Sequence, residues 1–68
     1  MEIDNKLGYL REKAGMSQTD LSKKTGISKH AISEIELCKR EPKLKTALLI
    51  AAALKCKVED IFSIMKNT

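Results

Sequence analysis

Aromatic residues are nearly missing from this chain: Tyr9 and Phe62 are its only two, and it has no tryptophan. A surface that grips single-stranded nucleic acid by base stacking needs several rings, so that ligand class is disfavoured. Cysteine is equally sparse. Cys38 and Cys56 are too few for the disulfide framework of a small secreted domain. Together with His30, the single histidine, they fall short of four zinc ligands at motif spacing. No apolar run approaches the ~20 residues of a membrane span, and the first residues, Met1 to Lys6, lack the charged-then-apolar layout of a signal peptide. A nucleophile–base set, a metal cluster and a phosphate-cradling glycine loop are also missing, which argues against an enzyme. The expectation is a protein of the reducing cytoplasm with no cofactor and no membrane partner.

What is present suits one small helical domain. The chain has 68 residues, 43% of them hydrophobic, with a formal net charge of +4, which is compatible with an acidic partner without identifying one. A single domain over 1–68 is expected, with its core at about 6–62. One proline and no repeat favour an all-helical reading, with no strand, because the apolar residues follow a 3.6-residue period. The first helix is expected from about Asp4 to Ala14, with Ile3, Leu7 and Leu10 on one side and Gly15 ending it. Ser17 and Asp20 have capping-box spacing, and Met16 and Leu21 are placed as a hydrophobic staple around that cap. Gly26 suits a turn of positive φ. Ser28 then caps a third helix reaching about Leu37. After the charged connector Cys38-Lys39-Arg40-Glu41-Pro42, a fourth helix at about Leu44 to Leu54 is apolar nearly all round, which predicts a buried central helix. A fifth is expected from about Val58 to Met65, with Glu59 and Asp60 complementing its dipole and Val58, Ile61 and Phe62 facing inward.

Two short helices joined by a tight glycine turn form a rigid angled pair. Leu21, Ile27, Ile32 and Ile35 supply its core, and small Ser22 permits close approach. Here the chain resembles the Cro/C1-type (Xre) helix-turn-helix regulators over roughly Lys6 to Phe62. The resemblance runs through Leu-Arg-Glu-Lys before Gly15, Met-Ser-Gln-Thr-Asp-Leu, Thr-Gly-Ile-Ser, Ile-Ser-Glu-Ile-Glu, Lys-Arg-Glu-Pro and Val-Glu-Asp-Ile-Phe. It implies an all-α, compact five-helix lambda-repressor-like domain, with the helix-turn-helix at helices 2 and 3. Double-stranded DNA is the implied partner, with the third helix in its major groove.

A helical wheel sets Ile32 and Ile35 inward and gathers Lys29, His30, Ser33, Glu34 and Leu37 on one outer arc. Base-contact candidates are Gln18, Ser28, Lys29, His30 and Glu34. Lys29 suits either guanine O6 and N7 or a phosphate. Glu34 suits the cytosine N4 donor, or a pairing with His30 four residues earlier. Leu37 suits a thymine methyl or a subunit contact. Ser33, Lys39, Arg40 and Lys43 are phosphate-contact candidates, against the plain alternative of a solvated charged surface. The resemblance also implies a structural ion pair between Arg11 and Glu36, which fixes the third helix without reading DNA.

The chain departs from the family pattern at several points. Cys38 and Lys55 stand where glycine is common after the third and fourth helices, so those ends are either strained by ~1 kcal/mol or more, or built differently. Lys43 and Lys57 replace common capping residues, and Thr25 replaces an apolar one. Cys38 is read as a passive thiol rather than a redox switch. The function expected is that of a sequence-specific transcriptional regulator, a repressor acting as a homodimer on a palindromic operator, with half-site centres ~34 Å apart. Ile64 and Met65 are candidates for the dimer interface, or else for additional core. Rival readings are an antitoxin-type module that binds a protein partner as well as DNA, a restriction-modification controller, and a helical domain that binds only protein.

Overall fold

The computed structural model describes residues 3–64. Among them, five helices lie between two short strands: β1 (Ile3–Asn5), α1 (Leu7–Lys13), α2 (Gln18–Thr25), α3 (Lys29–Glu36), α4 (Leu44–Leu54), α5 (Val58–Ile61) and β2 (Phe62–Ile64). Their packing is that of a helix-turn-helix domain. Leu7 of α1, Leu21 of α2, Ile32 and Ile35 of α3, Ile50 of α4 and Ile61 of α5 are all essentially inaccessible and meet in one core. Leu10, Met16, Ile27, Val58 and Phe62 pack around it, half-buried.

The strands correct the expectation of a strandless chain. β1 and β2 run antiparallel, with Ile3 opposite Ile64 and Asn5 opposite Phe62. The ladder continues as the Lys6 N–H donates to the Ile61 carbonyl at 2.8 Å. A three-residue strand has too few positions for its alternation to stand out from a helical period. Asn5 is what stops α1 from starting earlier: its side-chain oxygen accepts from the Leu7 N–H at 2.9 Å, an Asx turn that diverts the chain. The first helix is accordingly shorter than expected, and Ile3 belongs to the ribbon. At the other end α5 stops at Ile61, and Phe62 takes extended dihedrals (φ −122°, ψ 130°). Met65 lies outside the described residues.

The fourth helix also differs from expectation. It buries Ala47, Ile50, Ala51 and Ala53, whereas Leu44 and Leu48 are 76% and 53% exposed. Alanines make the close contact with the core, and the leucines one turn apart on the flank are left uncovered by any described element. Helix α4 is therefore an edge of the domain, not its centre.

Local signals set the helix starts. Ser17 and Asp20 close a capping box: the Ser17 hydroxyl accepts from Asp20 N–H at 3.0 Å, and the Asp20 carboxylate accepts from Ser17 N–H at 2.9 Å. Hydrogen bonding to the carboxylate from Ser17, its backbone N–H foremost and then its hydroxyl, holds the Asp20 carboxyl below its ordinary pKa. Ser28 caps α3 by accepting from Ala31 N–H at 3.1 Å. No side chain caps α4, while the start of α5 is served by the Asp60 carboxylate, which accepts from Lys57 N–H at 3.0 Å. Thr25 has a polar use at its position: its hydroxyl donates to Leu21 carbonyl and accepts from Ile27 N–H, bracing the turn.

The first four helices all end in a left-handed residue. Two of these are glycines, and Gly26 (φ 78°) makes the helix-turn-helix bend by donating to the Ser22 carbonyl. The other two are Cys38 (φ 60°) and Lys55 (φ 56°). Each forms a Schellman end: Cys38 N–H reaches Ile35 carbonyl and Lys39 N–H reaches Glu34 carbonyl, while Lys55 and Cys56 bond Ala52 and Ala51 in the same way. The glycine geometry is thus kept without glycine. Cys56 packs against the core beside this turn, and burial, with Asp60 adding, pushes its thiol pKa up.

A side chain at positive φ costs about 1–2 kcal/mol, and glycine's greater freedom in the unfolded chain returns about 0.4–1 of that. Cys38→Gly and Lys55→Gly should each stabilise the fold by about 0.5–1 kcal/mol, seen as a rise of several degrees in Tm; a fall in Tm would refute the strain. For Asp20, the lowered folded pKa means that its stabilisation is complete above the unfolded value, about 3.9, and is lost as pH falls through the folded value. Tm measured against pH should drop in that acidic window, and Asp20→Asn should flatten the drop.

Candidate nucleic-acid interface

One carboxylate fastens the third helix to the rest of the domain. Glu36, the last residue of α3, accepts from Arg11 Nε at 2.7 Å and from Arg11 Nη2 at 3.2 Å, a forked two-bond contact. Arg11 Nη1 donates to the Met16 carbonyl at 2.7 Å, and Gln18 Nε2 donates to Glu36 Oε1 at 3.2 Å. Helices α1, α2 and α3 therefore converge on a single side chain. The two ion-pair partners are only 11% and 12% exposed, so the pair is largely shielded from water. The hydrogen bond from Arg11 to Glu36 raises the arginine pKa against the opposing effect of burial, and Glu12 adds to the rise. Gly8 makes room for this contact: a Cβ at that position would meet Glu36 Oε1 at 3.3 Å.

A second fastening comes from β1. The Asn5 side-chain amide donates to the Ile35 carbonyl at 2.6 Å. That carbonyl also accepts from Cys38 N–H, so the last turn of α3 is held by its own C-terminal turn and by the ribbon. This role for Asn5 is hidden when a helix is expected from about Asp4, since the residue then falls in that helix's first turn. The Asn-Lys-Leu sequence just before the first buried leucine was the available cue for an Asx turn.

Held in this way, α3 buries Ile32 and Ile35 and turns its other side outward. Ser28, Lys29 and His30 are exposed at its start, Ser33 and Glu34 are half-buried along it, and Leu37, Lys39 and Arg40 are exposed beyond it. Ser28 spends its hydroxyl on the helix cap. Gln18 is half-buried, with its amide turned to Glu36 rather than outward. Lys43 is exposed at the start of α4, and Ile64 is exposed on β2.

Glu34 is not an isolated charge. His30 Nε2 lies 3.5 Å from its Oε2, and Arg40 Nη2 lies 2.7 Å from its Oε1. The Arg40 approach lacks the alignment of a hydrogen bond, leaving Oε1 covered and bonded only electrostatically. Arg40 was read from the sequence as a phosphate contact; in the free protein its guanidinium rests on Glu34. The arrangement offers a row of donors on a fixed helix, flanked by lysines, with one acceptor group in its middle. That set of groups suits the major-groove edges of base pairs and the phosphates beside them.

Removing Arg11 should strand a shielded carboxylate with only Gln18 as partner. Arg11→Ala is expected to lower stability by about 3 kcal/mol or more, and Arg11→Lys to recover only part of it, since an ammonium cannot reproduce the fork. Asn5→Ala should cost about 1–3 kcal/mol, because it removes the Asx turn at Leu7 N–H as well as the bond to the Ile35 carbonyl, which retains its other donor. Urea titrations of the three variants check these figures, and equal losses for Arg11→Ala and Arg11→Lys would show that the fork contributes nothing.

Comparison with known proteins agrees with this geometry. A helix-turn-helix family pattern matches residues 7–61. An uncharacterised HTH-type transcriptional regulator of Methanocaldococcus jannaschii is 47% identical over 60 residues, covering 88% of this chain and 91% of that protein. A regulator of the same description from Archaeoglobus fulgidus is 38% identical over 52 residues, covering 76% of this chain and 74% of its own length. One from Bacillus subtilis is 36% identical over 60 residues, with 88% and 91% covered. With the buried helix pair, its glycine turn and the outward face of α3, these matches establish that the chain belongs to the Cro/C1-type helix-turn-helix family of DNA-binding transcriptional regulators.

Proposed function

We propose that this chain is a sequence-specific repressor that binds a palindromic double-stranded operator as a homodimer in the reducing cytoplasm, without enzymatic activity. The observation that carries the reading is the outward face of α3, exposed at Lys29 and His30 and clamped at its far end by Arg11 and Asn5. A helix whose angle is fixed before binding meets the groove with little ordering to do. In this reading Lys29, His30 and Glu34 face base edges, with Ser28 and Gln18 at the margin. Ser33, Lys39, Arg40 and Lys43 lie along the phosphates. One such helix reads only a few base pairs, so two-fold pairing supplies the rest of the specificity. Uncovered apolar side chains at Ile64, Leu44 and Leu48 support a subunit contact over additional core. The free thiols of Cys38 and Cys56 suit a reducing compartment.

Selection of bound sites from a random duplex pool tests this reading. It should enrich a two-fold symmetric sequence with half-site centres ~34 Å apart, and binding should weaken steeply with salt, with a slope of about −0.9 for each phosphate neutralised. Sedimentation of the protein–DNA complex should give two chains per site. A pool without an enriched half-site, or binding indifferent to salt, would sink the proposal.

A further inference from the structure

We propose that Glu34 is the specificity-determining residue of α3, reading a cytosine amino group through its outward oxygen, and that Arg40 is the residue that positions it. This rests on the DNA-binding reading above and assigns the central contact within it. The two oxygens of the Glu34 carboxylate are unlike. Oε1 is inaccessible and lies 2.7 Å from Arg40 Nη2, whereas Oε2 lies on the His30 side, where the imidazole is 81% exposed. One oxygen is covered by a cation, and the other has the exposed His30 imidazole beside it and is not among the covered polar atoms.

The strained turn after α3 creates this arrangement. Cys38 at φ 60° reverses the chain, and Lys39 N–H returns to the Glu34 carbonyl at 2.9 Å. The next residue, Arg40, is thereby folded back against the Glu34 side chain. Continued as a helix, the chain would carry residue 40 about 9 Å along the axis from residue 34, at ~1.5 Å per residue. Backbone strain held beside a functional side chain is a recurrent way of fixing its geometry.

Charge and donor pattern then select the base. A bare carboxylate entering a groove lined with phosphates is repelled. Under the Arg40 guanidinium the charge is offset, and the outward oxygen keeps its acceptor lone pairs. Guanine and thymine offer only acceptors on their major-groove polar edges. Adenine offers an amino donor with the N7 acceptor beside it, which repels a carboxylate. Cytosine presents its N4 donor without that opposing group. Lys29, one turn before Ser33 on the same arc, can serve a guanine or phosphate nearby without competing for the amino group.

The test is site selection from a random duplex pool by the full chain, comparing wild type with Glu34→Gln and Arg40→Ala, with helical content followed by circular dichroism. The wild-type half-site should contain a cytosine preferred on the order of tenfold over other bases at one position. Glu34→Gln should lose that preference and gain adenine there, because a carboxamide donates to N7 while accepting from N6. Arg40→Ala should flatten the same position, leave the others readable, and weaken overall binding. An unchanged cytosine in the Glu34→Gln half-site overturns the assignment. Uniform weakening by Arg40→Ala, with every base preference intact, marks Arg40 as a phosphate contact only and overturns its positioning role. Failure of the wild type to enrich any half-site is a different result: it removes the DNA-binding regulator reading itself.

Discussion

Glu36 sits where three helices meet, and its carboxylate is bonded by two of them: the Arg11 fork from α1 and the Gln18 amide from α2. Most of the molecule's geometry depends on that convergence. The apolar core holds α3 against its neighbours but is non-directional, and packing of Ile32 and Ile35 alone tolerates small rotations of the helix. A forked, largely water-shielded ion pair does not. Its geometry fixes both the height and the roll of α3, so the outward face points in one direction. A buried ion pair is weak evidence for net stability, and its better-supported use is this fixing of register.

The elements with a strong local signal could be read from the sequence. The Ser17–Asp20 spacing, Gly26 and the Ser28 cap place α2, the turn and α3 within a residue or two of where they lie. Arg11 and Glu36 were named through the family resemblance, and in the structure they lie 2.7 Å apart. What could not be read is what depends on pairing across the chain. The β1–β2 ribbon joins residues that are neighbours only after folding, and Ile3 gives no sign of its partner Ile64. The same holds for Asn5 on the Ile35 carbonyl and for Arg40 on Glu34, contacts that require the tertiary fold or the strained Cys38 turn. The exposure of Leu44 and Leu48 was hidden by composition, since a helix rich in alanine and leucine reads as apolar on every side.

Departures from the family pattern change the means more than the shape. Cys38 and Lys55 adopt the left-handed conformation that glycine would take, with both Schellman bonds formed. The bonds and the core beneath them outweigh the local cost. Lys57 likewise cannot cap α5 with its side chain, and Asp60 supplies the bond from inside the helix. The fold is specified by many small signals acting in agreement, and no single one has to be ideal.

The ribbon has a consequence for how the chain reaches this state. Most contacts in the domain are between residues close in sequence, which favours rapid assembly of the helices. Pairing Ile3 with Ile64 instead closes a loop spanning nearly all the described residues, and only three residues on each side contribute to it. A step with so few bonds, made once the core has brought Leu7 and Ile61 together, belongs at the end of folding and at the start of unfolding. Because Asn5 of that ribbon also bonds the last turn of α3, opening of the ribbon reaches directly into that helix. Whatever is attached at either end, whether a tag, a truncation or a further segment, therefore acts on the aim of that helix as well as on stability.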